Sequence, residues 1–515
     1  MVSAALLAML PAVHALRFGA LAWVAMVPLL GAIAAARSWR QALGCGWLFG
    51  AVLFAVAFFW LGPATATVAD VSPWLAWSIF VLTVANAGLV FGVFGVGVAI
   101  ARRHFPHWPM ALLAPLMLTA AEQLVPTLLA FKLGHTQGGY PGITQVVDLT
   151  GVAGLSFLLA MVNGALFDLA AAIRARSSLP WRSFARAVVV MSLALGYSHG
   201  RIAEIDRMRA QAPKLRLGIV QGNLSRQDSA DPEKAAGILK RYRDKSRQLA
   251  ARGAELIIWP EGAVPYVLLR ELPADAPPLE QGLQFTRGLP VPLLLGAQTV
   301  SSAAPDAVGA LYNSAWLIEA NGRIAARYDK HLLFPLSERI PYAERFPILA
   351  RWFPGRRYEP GRERNLLSLG RMRIGPLICF EDIHPDFVRE LVSLNPNLLL
   401  TLSSNARFGA LPASEQHHAN ALLRAIEMRR DLVRATENGI SSIIDAAGRV
   451  RVQTRAVEPE RLPGIAAFGL TGTVALLDGP TTFYARHGDV FAWINVLAAL
   501  LLVAAGRALQ GRSKG

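Results

Sequence analysis

Three apolar runs of this chain each end on a residue that can do chemistry: "LIIWPEG" delivers Glu261, "IAARYDK" delivers Lys330 and "IGPLIC" delivers Cys379. A thiol attacks only as the thiolate, so a neighbouring base has to take its proton. A carboxylate can do that, and an ammonium can stabilise the oxyanion formed when sulfur adds to a carbonyl. Together the three residue types suit acyl transfer through a thioester. Singly, each has a plainer reading: Cys379 as a buried structural cysteine, Glu261 as a loop acid, Lys330 as the partner of Asp329 in a surface ion pair. The chain has two cysteines, Cys45 in an apolar run and Cys379 far downstream, so no disulfide framework exists.

The elements that would present these residues are short apolar strands at 214–223, 254–261, 291–300, 313–322, 372–382, 396–405 and 439–450. Helical segments are expected at 231–252 and 415–434, the second from Leu422, Ile426 and Val433 at helical spacing. Near-continuous apolar strands alternating with amphipathic helices describe an α/β domain with buried sheets.

That domain is only part of the chain. Hydrophobic residues make up 53% of the 515 and charged residues 17%, a balance that points to a bilayer. Apolar segments near 3–15, 18–36, 43–62, 74–100, 109–131, 145–173 and 186–199 read as about seven membrane helices, and 490–506 as a last one. The loops "RSWRQ" (37–41), "ARRHFPH" (101–107) and "RARSSLPWR" (174–182) are basic, whereas "GPATATVADVSP" (62–73) has no Lys or Arg. By the positive-inside rule the basic loops are cytoplasmic, both termini are cytoplasmic, and the polar stretch from 200 onward lies outside. The expected division is a membrane domain over 1–199, an extracytoplasmic domain over 200–488, and a terminal helix with a short tail over 489–515. A formal charge of +16 without an aromatic-interleaved basic stripe suits anionic headgroups and argues against nucleic acid.

Glu, Lys and Cys in the settings "WPE", "DKHLLFPLSE" and "CFED" resemble the nitrilase superfamily, and the flanking spans resemble its membrane-embedded branch, apolipoprotein N-acyltransferase. The likeness extends to "GHTQ" (134–137), "VQGN" (220–223), "NSAWLI" (313–318), "FG" (408–409), "EQHHANALLRAIEMRRDLVRATENG" (415–439) and "YARHGD" (484–489). It implies a multi-span α-helical membrane bundle joined to an α-β-β-α sandwich on the periplasmic side of a bacterial inner membrane. It implies Cys379 as nucleophile, Glu261 as general base and Lys330 as oxyanion stabiliser. Glu338 matches a further acid of the active site and Glu381 the acid of the "CFE" unit, while the backbone N–H of Phe380 is a second candidate oxyanion donor. The implied partners are a phospholipid acyl donor, a diacylglyceryl lipoprotein acceptor and membrane lipids, with no cofactor and no metal.

The chain departs from many members at Phe380, where Tyr is usual, at Ala406 and Arg407 within "NARFG", and at Glu437, where Asn is common. These departures keep other readings open: a membrane-tethered amidase or hydrolase that resolves the thioester with water, or an acyltransferase with another acceptor. A non-catalytic transporter or scaffold would leave the Glu, Lys and Cys unexplained. Adjacent His417 and His418 point in different directions on a helix and do not read as a metal site. Glu122, Asp148 and Asp168 fall in or beside spans, where charge is costly. Glu122 is a candidate for function without an assigned role.

Overall fold

A computed structural model of the chain describes residues 18–270, 280–301, 309–353, 357–405, 408, 411–457 and 465–512. The apolar segment expected at 3–15, and Ala406, Arg407 and Gly409, lie outside the described residues.

Among its described residues the polar stretch forms thirteen strands: β1 (Lys214–Gln221), β2 (Leu256–Ile258), β3 (Leu268–Leu269), β4 (Leu293–Val300), β5 (Leu311–Ile318), β6 (Ile324–Asp329), β7 (Leu367–Leu369), β8 (Met372–Ile378), β9 (Leu398–Ser403), β10 (Leu432–Thr436), β11 (Ser442–Ile444), β12 (Val450–Gln453) and β13 (Phe468–Ala475). They divide into two sheets. One runs β13-β1-β2-β4-β5-β6, with β3 beside β4, and the other runs β12-β11-β10-β9-β8-β7. Strands β8, β9 and β10 pair in parallel and are buried along nearly their whole length, which is why "LLLTLS" is apolar without alternation. At the edge, "VRVQ" in β12 alternates between half-buried and exposed positions, as a strand with one wet face must.

Helix Ala235–Ala251 packs on β1, β2 and β13, while Pro385–Val392 packs on β8 and Leu411–Met428 on β10. The sheets face one another through β1 with β10 and β5 with β8, giving four layers in the order α-β-β-α. Helix Ala235–Ala251 buries Ile238, Tyr242, Ser246 and Leu249 on one face, a spacing of three and four residues. That face closes a core around Trp259, Phe285, Leu293 and Trp316. Of the two buried indoles in this core, Trp259 donates its N–H to Ser246 Oγ at 2.8 Å, whereas the N–H of Trp316 has no hydrogen-bond partner among the described residues.

The helix expected at 415–434 is corrected by the structure. It stops at Met428, Arg429 turns left-handed with φ +50°, and Val433 lies in β10 beside Leu400 of β9. The helical spacing of Val433 was coincidental, because a β-branched residue there gains a place in a parallel ladder.

Outside the polar stretch the described residues are mostly helical. By length and composition Trp39–Ala57, Pro73–His104 and Val152–Ala175 can each cross a membrane, and Gly19–Ala35, Met110–Leu124 and Val490–Gly506 are shorter apolar helices. The segment expected to run through 109–131 ends at Leu124, because Pro126 disfavours helical backbone at Val125, which is extended. The segment at 145–173 is broken at Gly151, whose φ is +61° and where a Cβ would meet Tyr484 at 2.4 Å. The segment at 186–199 belongs to one helix, Trp181–Gln211.

Two compact units result: one of residues up to 59, 77–204 and 482 onward, the other of 60–76 and 205–481. Residues 60–76, embedded in the apolar part of the sequence, are grouped with the α/β unit. Within the helical unit, Glu122 Oε1 accepts from the backbone N–H of Leu133 at 2.7 Å and so caps the turn Leu133–Gln137.

Candidate active site

All three candidate residues sit at the carboxyl ends of strands, where the backbone leaves the ladder and a side chain can turn out of the sheet. Glu261 follows β2, Lys330 follows β6, and Cys379 follows β8 of the opposite sheet. The approach around Glu261 is close. A Cβ on Gly296 of β4 would lie 2.6 Å from the carbonyl oxygen of Pro260 and 2.7 Å from Glu261 Cα, so only glycine lets β4 pass.

Lys330 is buried between two carboxylates. Its Nζ donates to Glu338 at 2.8–3.0 Å and stands 3.9 Å from Glu261 Oε1. Asn313 on β5 spaces the two acids: its Nδ2 donates to Glu261 Oε1 at 2.7 Å and to Glu338 Oε1 at 3.2 Å. Its carbonyl also accepts from the backbone N–H of Lys330 at 2.8 Å. The second oxygen of Glu261 accepts from the backbone N–H of Ser404 at 2.9 Å, and that of Glu338 from Phe334 N–H at 2.7 Å.

Two acids facing one ammonium leave the cluster with net negative charge, and the titration of each group follows. Burial raises the Glu261 carboxyl above its ordinary value; Lys330 pulls it down and Glu338 pushes it back up. Burial would lower Lys330, but Glu338 and then Glu261 outweigh it, so the ammonium is held above its usual range and stays charged. Burial, reinforced by Glu261, pushes the Cys379 thiol up to about 12 against the pull of Lys330. At neutral pH the resting site therefore holds a thiol rather than a preformed thiolate.

Cys379 is buried and adopts φ +53° at the head of the turn Cys379–Ile383. Phe380 points into an aromatic run: its ring lies 5.0 Å from Phe334 and 4.5 Å from His384, Phe334 lies 6.1 Å from Phe408, and Phe408 lies 5.8 Å from Trp60. The indole N–H of Trp60 donates to Gln416 Oε1 at 2.9 Å. Glu381 does not share the Glu261–Lys330–Glu338 hydrogen bonds. Fully buried, it accepts from the backbone N–H groups of Ile378 (2.7 Å), His331 (2.7 Å) and Leu332 (3.2 Å) and from Tyr328 Oη (2.9 Å), and burial lifts it to about 7.

Glu437 is also buried. It accepts from Tyr242 Oη and, at 2.9 Å, from the N–H of Leu224, and burial raises it to about 7. His417 and His418 diverge, the first meeting Asp382 at 2.6 Å and the second Ser442 at 3.0 Å. Among the described residues no group of three or more His, Cys, Asp or Glu is placed to hold a metal ion.

Sequence reasoning therefore found Glu261, Lys330, Glu338 and Cys379, which share one electrostatic cluster, and Glu381, which braces its frame. It quoted Asn313 in a motif without giving it a task, and it missed the Ser404 N–H and Trp60. Asn313 could have been found as the amide in a largely apolar strand, next to Ser314; Trp60 carried no local signal.

Residues 3–165 match the model of the apolipoprotein N-acyltransferase N-terminal domain, and 216–462 that of carbon-nitrogen hydrolase. The chain is 31% identical to an apolipoprotein N-acyltransferase of Geobacter metallireducens over 94% of its own length and 90% of the relative's. It is 27% identical to one of Shewanella oneidensis, over 89% and 86% of the two chains. Among solved structures, an amidase from Nesterenkonia sp. AN1 aligns over 55% of this chain and 96% of its own, with a TM-score of 0.35 and 15% identity.

Proposed function

The chain belongs to the apolipoprotein N-acyltransferase family, and from that premise we propose that it moves a fatty acyl group from a phospholipid, through a thioester on Cys379, to the α-amine of a diacylglyceryl-cysteine lipoprotein. Its apolar helices and its family fit a bacterial inner-membrane protein. In our reading the membrane domain spans 1–199, the catalytic domain 200–488 faces the periplasm, the last helix and tail occupy 489–515, and both termini are cytoplasmic.

The reaction is ping-pong. Glu261 takes the Sγ proton as the sulfur adds to the ester carbonyl, and the oxyanion is met by the Lys330 ammonium and the backbone N–H of Phe380. Collapse breaks the ester C–O bond; Glu261 returns its proton to the leaving oxygen, and lysophospholipid departs. The acceptor amine then adds to the thioester, Glu261 takes the ammonium proton, the C–S bond breaks, and that proton restores the thiol. The observation that carries this reading is the Lys330 ammonium, buried with its Nζ 2.8–3.0 Å from Glu338 and 3.9 Å from Glu261; all three act on the Cys379 thiol, which burial pushes up to about 12, so the thiol needs a base to take its proton. Glu338 keeps the ammonium in place and Asn313 keeps the two acids apart.

Both substrates are anchored in lipid, and extraction costs about 0.8 kcal/mol per CH₂. Tyr342, Phe346, Ile348 and Trp352 are exposed on 331–358, interleaved with Arg339, Arg345 and Arg351. We assign this segment to the headgroup region, where aromatic and basic side chains are at home.

The test is intact mass spectrometry after incubation with phospholipid vesicles, comparing wild type with Cys379→Ser. The expected result is a hydroxylamine-sensitive acyl adduct on Cys379 that is discharged by a diacylglyceryl-cysteine peptide. Discharge to water alone makes the protein a hydrolase, and no adduct removes the phospholipid as donor.

A further inference from the structure

The turn that carries Cys379 is clamped from two sides, and neither clamp takes part in the steps above. A left-handed backbone costs a residue with a side chain roughly 1–2 kcal/mol and persists only where its surroundings over-determine it. Glu381 supplies one half of that restraint, tying the turn to β8 and to the segment after Lys330. The next side chain, Asp382, supplies the other. It is fully buried; its Oδ2 accepts from Arg434 Nη1 at 2.5 Å, and its Oδ1 meets His417 Nε2 at 2.6 Å.

Arg434 belongs to β10 and His417 to helix Leu411–Met428, so one carboxylate joins three elements at the base of the turn. Arg434 is itself buried, and its Nε and Nη2 make no hydrogen bond among the described residues. Asp382 therefore orients the guanidinium as much as the guanidinium orients it. Glu381 and Asp382, adjacent in sequence, pull the turn toward opposite sheets' elements, which fixes rotation of the turn in a way that either alone would not.

We infer that Asp382, held by Arg434 and His417, is a positioning residue for the nucleophile, setting the turn so that the thiol faces its base. The inference rests on Cys379 being the nucleophile. It gives His417, which sequence reasoning had considered only as a metal ligand, a task that needs just its Nε2. It also explains why adjacent histidines diverge: His418 serves the strand behind, through Ser442.

The test uses the full-length protein in phospholipid vesicles and reads the rate of acyl-adduct formation on Cys379 per folded molecule, alongside Tm. His417→Ala leaves the Arg434–Asp382 pair in place and should slow adduct formation about tenfold or more at unchanged KM for phospholipid, because small misplacements of reacting groups cost 10- to 100-fold. His417→Gln, which can present a donor near the same point, should recover most of the rate. Asp382→Asn should cost about 100-fold. If His417→Ala and Asp382→Asn form adduct at the wild-type rate per folded molecule, whatever their Tm, the residue is structural only and the inference is overturned. If wild type forms no adduct at Cys379, the nucleophile assignment fails, and the positioning role falls with it.

Discussion

Buried carboxylates are treated in opposite ways by the two units. In the helical unit Asp148 accepts from Tyr197 Oη and Arg201 Nε, both at 2.8 Å, and the half-buried Asp168 accepts from the first N–H groups of helix Met110–Leu124 and from Ser183. Asn163 likewise spends both ends of its amide, donating to Ala22 O and accepting from Met26 N–H. In the α/β unit Glu261 and Glu338 compete for the single ammonium of Lys330. The first pattern fastens helices where water is scarce. The second leaves one carboxylate short of neutralisation, which makes it a base.

The sharpest way to break that contrast is to remove the base or the cation. Glu261→Gln should slow adduct formation by roughly 10³- to 10⁴-fold, and Lys330→Met by about 10²- to 10³-fold, both read by rapid-quench intact mass. A loss of less than tenfold in either would mean that the competition has no catalytic use.

Next comes Glu338→Gln. Burial still raises Glu261, but removing this carboxylate withdraws the like charge that adds to it and frees Lys330 to neutralise it, so Glu261 should titrate lower. The acid limb of the pH–rate profile, where Glu261 becomes protonated and inactive, should move to lower pH; a limb that stays fixed or moves upward contradicts the charge arrangement.

In the helical unit the expected effects are on stability alone. Asn163→Ala should cost about 1–3 kcal/mol, seen as a lower Tm in detergent, with adduct formation per folded molecule unchanged. A catalytic defect there would blur the division between the two regions.

The smallest effect concerns Glu437. Its folded value near 7 exceeds the ordinary 4.5, so folding binds a proton between these limits and its stability contribution is lost as pH rises from 4.5 to 7. Glu437→Gln should flatten part of that fall in a Tm-against-pH series, and Glu381, raised in the same direction, should account for a further share.

The candidate site of this molecule was legible in its sequence because strand ends are local events. An apolar run stopping at Glu261, Lys330 or Cys379 announces both the strand and the residue it presents. What was not legible is set by tertiary pairing. Val433 kept helical spacing with Ile426, yet joined a strand because β9 offered a parallel partner. Asp382 and His417 lie 35 residues apart, and nothing local to either announces the other. Pro126 and Gly151 were visible breakers within long apolar stretches, and the apolar count overrode them. Trp60 reads as the end of a membrane segment, but its indole meets Gln416 and Phe408 within the α/β unit.

The left-handed backbone of Cys379 makes the proposed nucleophile a site where this fold is less secure than it could be. Glycine holds φ +53° without penalty, whereas alanine keeps the offending Cβ. Both replacements lack the thiol and are inactive, yet Cys379→Gly should unfold at higher denaturant than Cys379→Ala, by about 1 kcal/mol. Selection for resistance to unfolding alone would thus favour erasing the sulfur, so the proposed thioester role is a reason of a different kind for keeping it there.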